Sequence, residues 1–189
     1  ASSDVPFSLF GVEVPIISSY ENIPSLSGYP DLADALETMK YVEAWTPIVS
    51  AAAFLEAGNG SSRTAVPVFG IDPETYFSVC KDIIVKEGDT GMLSRGGIFL
   101  NERLAREIEG DMGRALVIGE PLLLSMYSDG TFRIRKGVFS GIIDYTSYTD
   151  PLDRVVLADV TIVRSLVNYT LGIIDDQGKD TTTAGSSDL

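Results

Sequence analysis

Residues 68–77 of the 189-residue chain read VFGIDPETYF and change from an apolar run to a helix start. Apolar and β-branched residues over Thr64–Phe69 predict a buried strand. Asp72 followed by Pro73 is a typical helix N-cap and first-turn pair. The apolar spacing beyond them predicts a helix running to about Lys86 and ended by Gly88. The segment therefore predicts a strand that passes directly into a helix.

A second strand-to-helix step follows a loop over Asp89–Gly97. Ile98–Leu100 is a short apolar run, and Asn101 is a good N-cap for the helix that begins after it. This helix is expected to end at Gly110 and Gly113. Its charged residues have the spacing of solvated surface ion pairs, which we interpret as an exposed face.

The remaining segments are predicted from apolar alternation and from turn residues. The expected elements are a strand or two in residues 1–30, a helix over Asp31–Lys40, a strand over Tyr41–Glu56 interrupted at Pro47, strands at 115–118, 122–127, 131–134, 138–143 and 154–157, and a helix from Asp159. Asp129-Gly130 predicts a hairpin turn. Mixed strands with a few helices indicate the α+β class.

Charge and composition exclude several functions. Lys and Arg number 14 and Asp and Glu 27, which gives a net charge of −13. A field of this sign repels phosphate backbones and anionic lipid, so no nucleic-acid partner is expected. Histidine is absent, which removes Ser-His-Asp and Cys-His catalysis and His-containing zinc sites. No stretch approaches the roughly 20 apolar residues of a membrane helix.

Single residues point to packing rather than chemistry. Cys80, the only cysteine, lies in an apolar pattern and is interpreted as a small core residue. The glycines at 88–91 and 96–97 match no phosphate-loop motif. The aromatic residues in apolar patterns are expected in the core: Trp45, Phe69, Tyr76, Phe77, Phe99, Phe132 and Phe139.

Read in order, the second half carries five recognisable pieces. They are Val68–Phe77, Gly97–Ala105, Gly113–Ile118, Val138–Ile142, and Asp153 followed by Val155–Asp159. This order resembles the extracytoplasmic core domain of MacB-like, lipoprotein-releasing (Lol-type) and wider FtsX-like bacterial ABC transporter permeases. The resemblance covers residues 66–167, and Arg114 stands where the group has aspartate after glycine.

The resemblance implies a mixed-sheet βαβ-type (Porter-like) unit with a smaller inserted α/β (Sabre-like) unit. The expected boundaries are 1–87 for the first, 88–171 for the second and 172–189 for a polar tail or linker. Such a domain faces the periplasm from the inner membrane and couples cytoplasmic ATP hydrolysis to substrate extraction, export or a periplasmic partner.

The same resemblance implies a non-catalytic domain with no cofactor, no metal and no site residues to carry over. Its implied partners are its own transmembrane helices, a cytoplasmic ATPase subunit, a periplasmic partner protein or lipoprotein substrate, and a second permease copy in a homo- or heterodimer. Two alternatives stay open from the residues alone. One is a stand-alone secreted hydrolase or lyase that uses a carboxylate or a lysine, which a cleft holding two acids with raised pKa values, for example Asp144 and Asp153, would favour. The other is a small carbohydrate- or peptide-binding domain with an exposed aromatic cleft.

Overall fold

The computed structural model describes residues 7–9, 12–14, 28–128, 131–146 and 152–167. The predicted tail 172–189 and the turn at Asp129-Gly130 lie outside them. The strands are β1 (Phe7–Leu9), β2 (Val12–Val14), β3 (Ile48–Ala57), β4 (Ser62–Ile71), β5 (Ile83–Gly88), β6 (Gly97–Asn101), β7 (Pro121–Ser128), β8 (Thr131–Tyr145) and β9 (Val156–Asp159). The helices are α1 (Tyr29–Thr38), α2 (Pro73–Val79), α3 (Glu102–Met112) and α4 (Val160–Val167), with 3-10 segments at Gly58–Gly60, Thr90–Arg95 and Leu152–Arg154.

Seven strands form one mixed sheet in the order β5-β8-β6-β9-β4-β3-β7. The pairs β4–β9 and β6–β8 are parallel, and the others are antiparallel. Because β7 also pairs with β8, the strands β8, β6, β9, β4, β3 and β7 form a closed hydrogen-bonded circuit. β5 is attached to β8 outside this circuit. The mixed sheet with flanking helices confirms the predicted α+β class.

The inner face of the circuit packs against α3 and α4. Small residues on the strands, among them Ala51, Ala53 and Ala158, leave room for the helices. The sheet and α4 pack closely at Gly70, because a Cβ added there would lie 2.7 Å from the Cβ of Val163 on α4. Arg135 fixes the end of α4, donating hydrogen bonds from Nε to Ser165 Oγ (2.8 Å) and from Nη2 to the Ser165 carbonyl oxygen (2.9 Å).

A second apolar cluster covers part of the outer face. Phe69, Phe99 and Leu157 of the sheet pack there with Tyr76 of α2 and Leu93 of the 3-10 segment Thr90–Arg95. The predicted cap of α2 is confirmed, since Asp72 Oδ1 accepts a hydrogen bond from the backbone N–H of Glu74 at 3.0 Å. The first strand-to-helix step thus links the two clusters.

The prediction of one helix from Asp72 to Lys86 is wrong. α2 ends at Val79, and Ile83–Gly88 is strand β5. Ile83, Ile84 and Val85 are β-branched and favour a strand once β8 offers backbone partners. Gly88 therefore ends a strand rather than a helix.

Other expectations change in smaller ways. Residues 115–118 are not a strand; Arg114 and Glu120 close this loop by an ion pair. The two strands expected within 131–143 are one long strand, β8, and β3 begins only at Ile48. Phe132 is exposed rather than in the core, and Trp45 and Phe77 are half-buried. The proposed boundary at residue 87 does not separate two sheets, and the division into two units stays a prediction.

Cys80 is half-buried at the end of α2, beside the second cluster. Burial raises the pKa of its thiol, which leaves less of the reactive thiolate at neutral pH. We expect Cys80 to react with Ellman's reagent at pH 8 more slowly than a cysteine in an unstructured peptide. The same measurement in denaturant gives the control rate, and a folded rate equal to it would contradict the burial.

Candidate functional site

A polar cleft opens where β6 and β8 end. Its volume is about 400 Å³, and it is lined by Asn101, Glu102, Arg103, Arg106, Asp144 and Asp153. Glu102, Arg103 and Arg106 come from the first two turns of α3, and Asp144 comes from β8. Asp153 lies in the 3-10 segment Leu152–Arg154. The cleft therefore collects side chains that are far apart in the sequence.

The direction of α3 at the cleft is set by its cap. Asn101 is the last residue of β6 and is buried. Its Oδ1 accepts a hydrogen bond from the backbone N–H of Arg103 at 2.9 Å, the N-cap arrangement predicted from the sequence. Because strand and helix meet at one residue, the side chains of the first helical turn project at the strand end.

Lys86 reaches the cleft from the attached strand β5. The β5–β8 register is interrupted between Val85 and Glu87, so Lys86 is the extra residue of a β-bulge. Its Nζ forms ion pairs with Asp144 (2.7 Å to Oδ2) and with Glu102. Glu102 also pairs with Arg106, one turn further along α3. Asp144, Lys86, Glu102 and Arg106 thus form a continuous chain of alternating charge.

These ion pairs shift the pKa values of the side chains that form them. The hydrogen bond from Lys86 lowers the pKa of the Asp144 carboxyl and of the Glu102 carboxyl, and Arg106 lowers that of Glu102 further. The same contacts raise the pKa of the Lys86 ammonium, with Asp144 the largest cause. All three groups therefore hold their charges over a wider pH range than they would alone.

We expect the chain of ion pairs to stabilise the fold within a defined pH window. Carboxyls with lowered pKa contribute above their unfolded values, about 4, and lose the contribution as pH falls through the folded values. Lys86, with a raised pKa, contributes below about pH 10.4 and loses the contribution as pH rises through its folded value. Lys86→Met should lower the urea midpoint at pH 7, and the difference from wild type should shrink towards pH 3. High salt should also reduce the difference, since the groups are partly exposed.

A matched variant isolates the effect of the Lys86 ion pairs from that of removing one positive charge. Lys81→Met removes the same charge and leaves the chain Asp144–Lys86–Glu102–Arg106 intact, because Lys81 belongs to none of its ion pairs and donates a hydrogen bond to the carbonyl oxygen of Phe77. Its urea midpoint should follow that of wild type across the pH range. A Lys86→Met difference that is the same at pH 3 and pH 7 would contradict the assignment.

Two further ion pairs anchor the segment Leu152–Arg154 to α3. Arg103 Nη1 lies 3.0 Å from Asp153 Oδ2, and Arg154 Nη1 lies 3.0 Å from Glu107 Oε2. Arg154 Nη2 also donates a hydrogen bond to Thr64 Oγ1 of β4 at 2.7 Å. The side chains around the cleft therefore connect α3 to β4, β5, β8 and the start of β9.

The cleft bears directly on the hydrolase alternative. Asp144 and Asp153, the two carboxylates named from the sequence, do line one cleft. However, the pKa of Asp144 is lowered rather than raised, and Asp153 is paired with Arg103. A general acid needs a raised pKa to hold a proton at neutral pH. The arrangement favours fixed, mutually neutralised charges over acid–base chemistry.

The binding-domain alternative finds no support in this cleft, since its lining is polar and contains no aromatic side chain. Among the described residues there is also no group of three or more His, Cys, Asp or Glu side chains that could hold a metal ion. Within the same part of the chain, no helix is long and apolar enough to cross a membrane.

The sequence predicted part of this site. The charged residues of α3 have the spacing of surface ion pairs, and Glu102 and Arg106 form one. The helix predicted through Lys86 gives no reason to place this side chain at the cleft, because its position depends on the β5–β8 pairing. The bulge itself leaves no local signal in the sequence.

The fold is similar to that of two solved domains. The first is the extracellular domain of the noncanonical ABC-type transporter YknZ from Gram-positive bacteria, with a TM-score of 0.50 and 12% identity over 70% of this chain and 62% of that one. The second is a domain of a protein described as a permease, from Porphyromonas gingivalis, with a TM-score of 0.50 and 15% identity over 73% and 60%. No protein-family model and no curated protein matches the sequence.

This likeness shows that the chain shares its fold with these two domains, which is the kind of fold that the resemblance in the sequence implies. The chain covers less than two thirds of the length of either solved domain. What the transporters do as whole proteins therefore enters only as a proposal.

Proposed function

We propose that this chain is the extracytoplasmic domain of a bacterial ABC transporter permease of the MacB-like, Lol-type or FtsX-like kind. In this role it couples ATP hydrolysis in the cytoplasm to substrate extraction or export, or to a periplasmic partner protein, and catalyses no reaction itself. The observation that carries the proposal is the fold shared with two permease-type domains, together with the order of motifs over residues 66–167.

The cleft is consistent with a mechanical role. Its ion pairs connect α3 to β5 and to the segment Leu152–Arg154, which precedes β9, and so help to hold these elements together. Gly70 and Val163 pack α4 directly against β4. We propose that packing and ion pairs together let the domain move as one body when membrane helices transfer motion to a partner.

The first test is the complete reading frame around this segment. We expect an apolar stretch of about 20 residues before residue 1, three more after residue 189, and a neighbouring ATPase gene. A reading frame that contains this segment and no apolar stretch of that length would contradict the proposal.

The second test locates the domain in cells that express the whole protein. Tyr41 is 97% exposed, so Tyr41→Cys in a Cys80→Ser background provides an accessible thiol. A membrane-impermeant maleimide should label it in cells with an intact inner membrane. Cys80→Ser alone is the unlabelled control, and labelling that requires lysis would contradict an extracytoplasmic location.

A further inference from the structure

Part of the outer face of the sheet is apolar and uncovered. Four large side chains there are exposed: Phe54 (45%), Tyr127 (71%), Phe132 (52%) and Ile134 (50%). We call this set the outer strip. In the register, Phe54 of β3 lies opposite Ser125 of β7, which lies opposite Ile134 of β8. Tyr127 lies opposite Phe132 in the same hairpin. Since directly opposed residues share a face, the strip is continuous across three strands.

Neighbouring parts of the sheet surface are covered. The opposite face of these three strands packs on α4, and the outer face further along the sheet is covered by the Phe69, Phe99 and Tyr76 cluster. A contiguous exposed apolar surface of this kind marks a place where another segment or molecule docks.

The rim of the strip is cationic. The Arg63 guanidinium lies over the Phe54 ring, 4.7 Å from its centroid. Lys136 is exposed, two residues after Ile134 on β8, and therefore lies on the same face. Glu56, two residues after Phe54 on β3 and directly opposite Arg63, also lies on this face, so the two cations exceed the carboxylate by one. In a chain with a net charge of −13, this local positive excess beside apolar side chains favours an acidic, apolar occupant.

We infer that the N-terminal segment of this chain covers the outer strip through the hairpin β1–β2. The pairs in this hairpin are Phe7 with Val14 and Leu9 with Val12, both apolar, and Ser8 with Glu13, which is polar. A two-stranded hairpin is marginally stable by itself in water and needs an apolar surface to pack on.

The charge of residues 1–27 and the length of the connection that follows the hairpin both agree with this occupant. Residues 1–27 contain Asp4, Glu13 and Glu21 and no Lys or Arg, which complements the cationic rim. The connection from Val14 to Gly28 can span up to about 45 Å when extended. Tyr29 contacts Trp45 with ring centroids 6.4 Å apart, so the tether starts close to the beginning of β3. From Ile48 to Phe54 is only about 20 Å along the strand.

The test is a pair of engineered cysteines in the full chain with Cys80→Ser. Leu9→Cys with Tyr127→Cys should form an intramolecular disulfide under mild oxidation. The control pair is Leu9→Cys with Val117→Cys, because Val117 is exposed and lies outside the strip. We expect the strip pair to close at least on the order of tenfold faster than the control, owing to its higher effective concentration.

The other occupants give different results. A disulfide that joins two chains, seen as a dimer on a non-reducing gel and increasing with protein concentration, would assign the strip to a second copy and overturn the inference. Equal rates for the two pairs would also overturn it. A second readout is hydrogen exchange, in which deletion of residues 1–27 should raise amide exchange in β7 and β8 and leave α3 unchanged. None of these results depends on the proposed transporter role.

Discussion

Gly141→Ala is expected to destabilise the fold by about 2–5 kcal/mol, which combines overpacking with an unfavourable backbone conformation. Gly141 has φ of 152°, which side chains rarely adopt. A Cβ there would lie 2.6 Å from Phe99 Cε1, 2.8 Å from Gly88 Cα and against the carbonyl oxygen of Glu87. Two of these neighbours are backbone atoms of β5, so the added methyl group forces β5 away from β8.

Gly110→Ala is the matched control for this prediction. Gly110 lies in α3, and an added Cβ has nothing within 4 Å. There the exchange should stabilise the protein by about 0.5–1 kcal/mol, because alanine loses less backbone freedom on folding into a helix. Urea unfolding of both variants gives the comparison. Equal midpoints for Gly141→Ala and wild type would show that β5 does not pack on β8 as described.

Gly141→Ala is also expected to change the ion pairs around the cleft. Lys86 is held between Asp144 and Glu102 by the bulge in β5. Displacing β5 would remove Lys86 from both carboxylates while α3 keeps its cap at Asn101. Gly141→Ala should therefore also flatten the acid dependence of stability, as Lys86→Met does. The position of Lys86 in the cleft and the close approach of Gly88 to Gly141 therefore depend on the same pairing of β5 with β8.

Local chemistry is what made parts of the fold predictable from the sequence. Asp72-Pro73 and Asn101 begin helices through bonds within two residues, and the structure confirms both caps. Gly113 ends α3 in the left-handed conformation, again a local effect. The α+β class follows from such segments taken together.

The failures have a common cause in long-range pairing. Ile83, Ile84 and Val85 fit either a helix face or a strand, and only the partner strand β8 decides between them. Phe132 alternates like a core residue, but its side chain is 52% exposed because the cluster on the outer face does not extend over it. The cleft depends on both kinds of information, so the sequence named Asp144 and Asp153 but could not assign Lys86 and Arg103 as their partners.

Phe99→Ala is expected to destabilise the protein by about 3–5 kcal/mol, the range for removing a buried aromatic side chain. Phe99 is fully buried on β6, in the cluster that joins the sheet to α2 and to the segment Thr90–Arg95. The truncation leaves a cavity between Gly141 and this cluster, and neither the sheet nor the capped helix can close it without breaking backbone hydrogen bonds.

Two comparisons make the Phe99 prediction sharp. Tyr41→Ala removes an aromatic side chain that is almost fully exposed and should change stability by less than about 0.5 kcal/mol. Phe99→Leu keeps most of the volume and should fall between the two. Since Tyr76 of α2 and Ile83 of β5 pack in the cluster that contains Phe99, hydrogen exchange in Phe99→Ala should rise in α2 and β5 before it rises in α4. Uniform exchange across both faces would mean that the two clusters unfold as one unit.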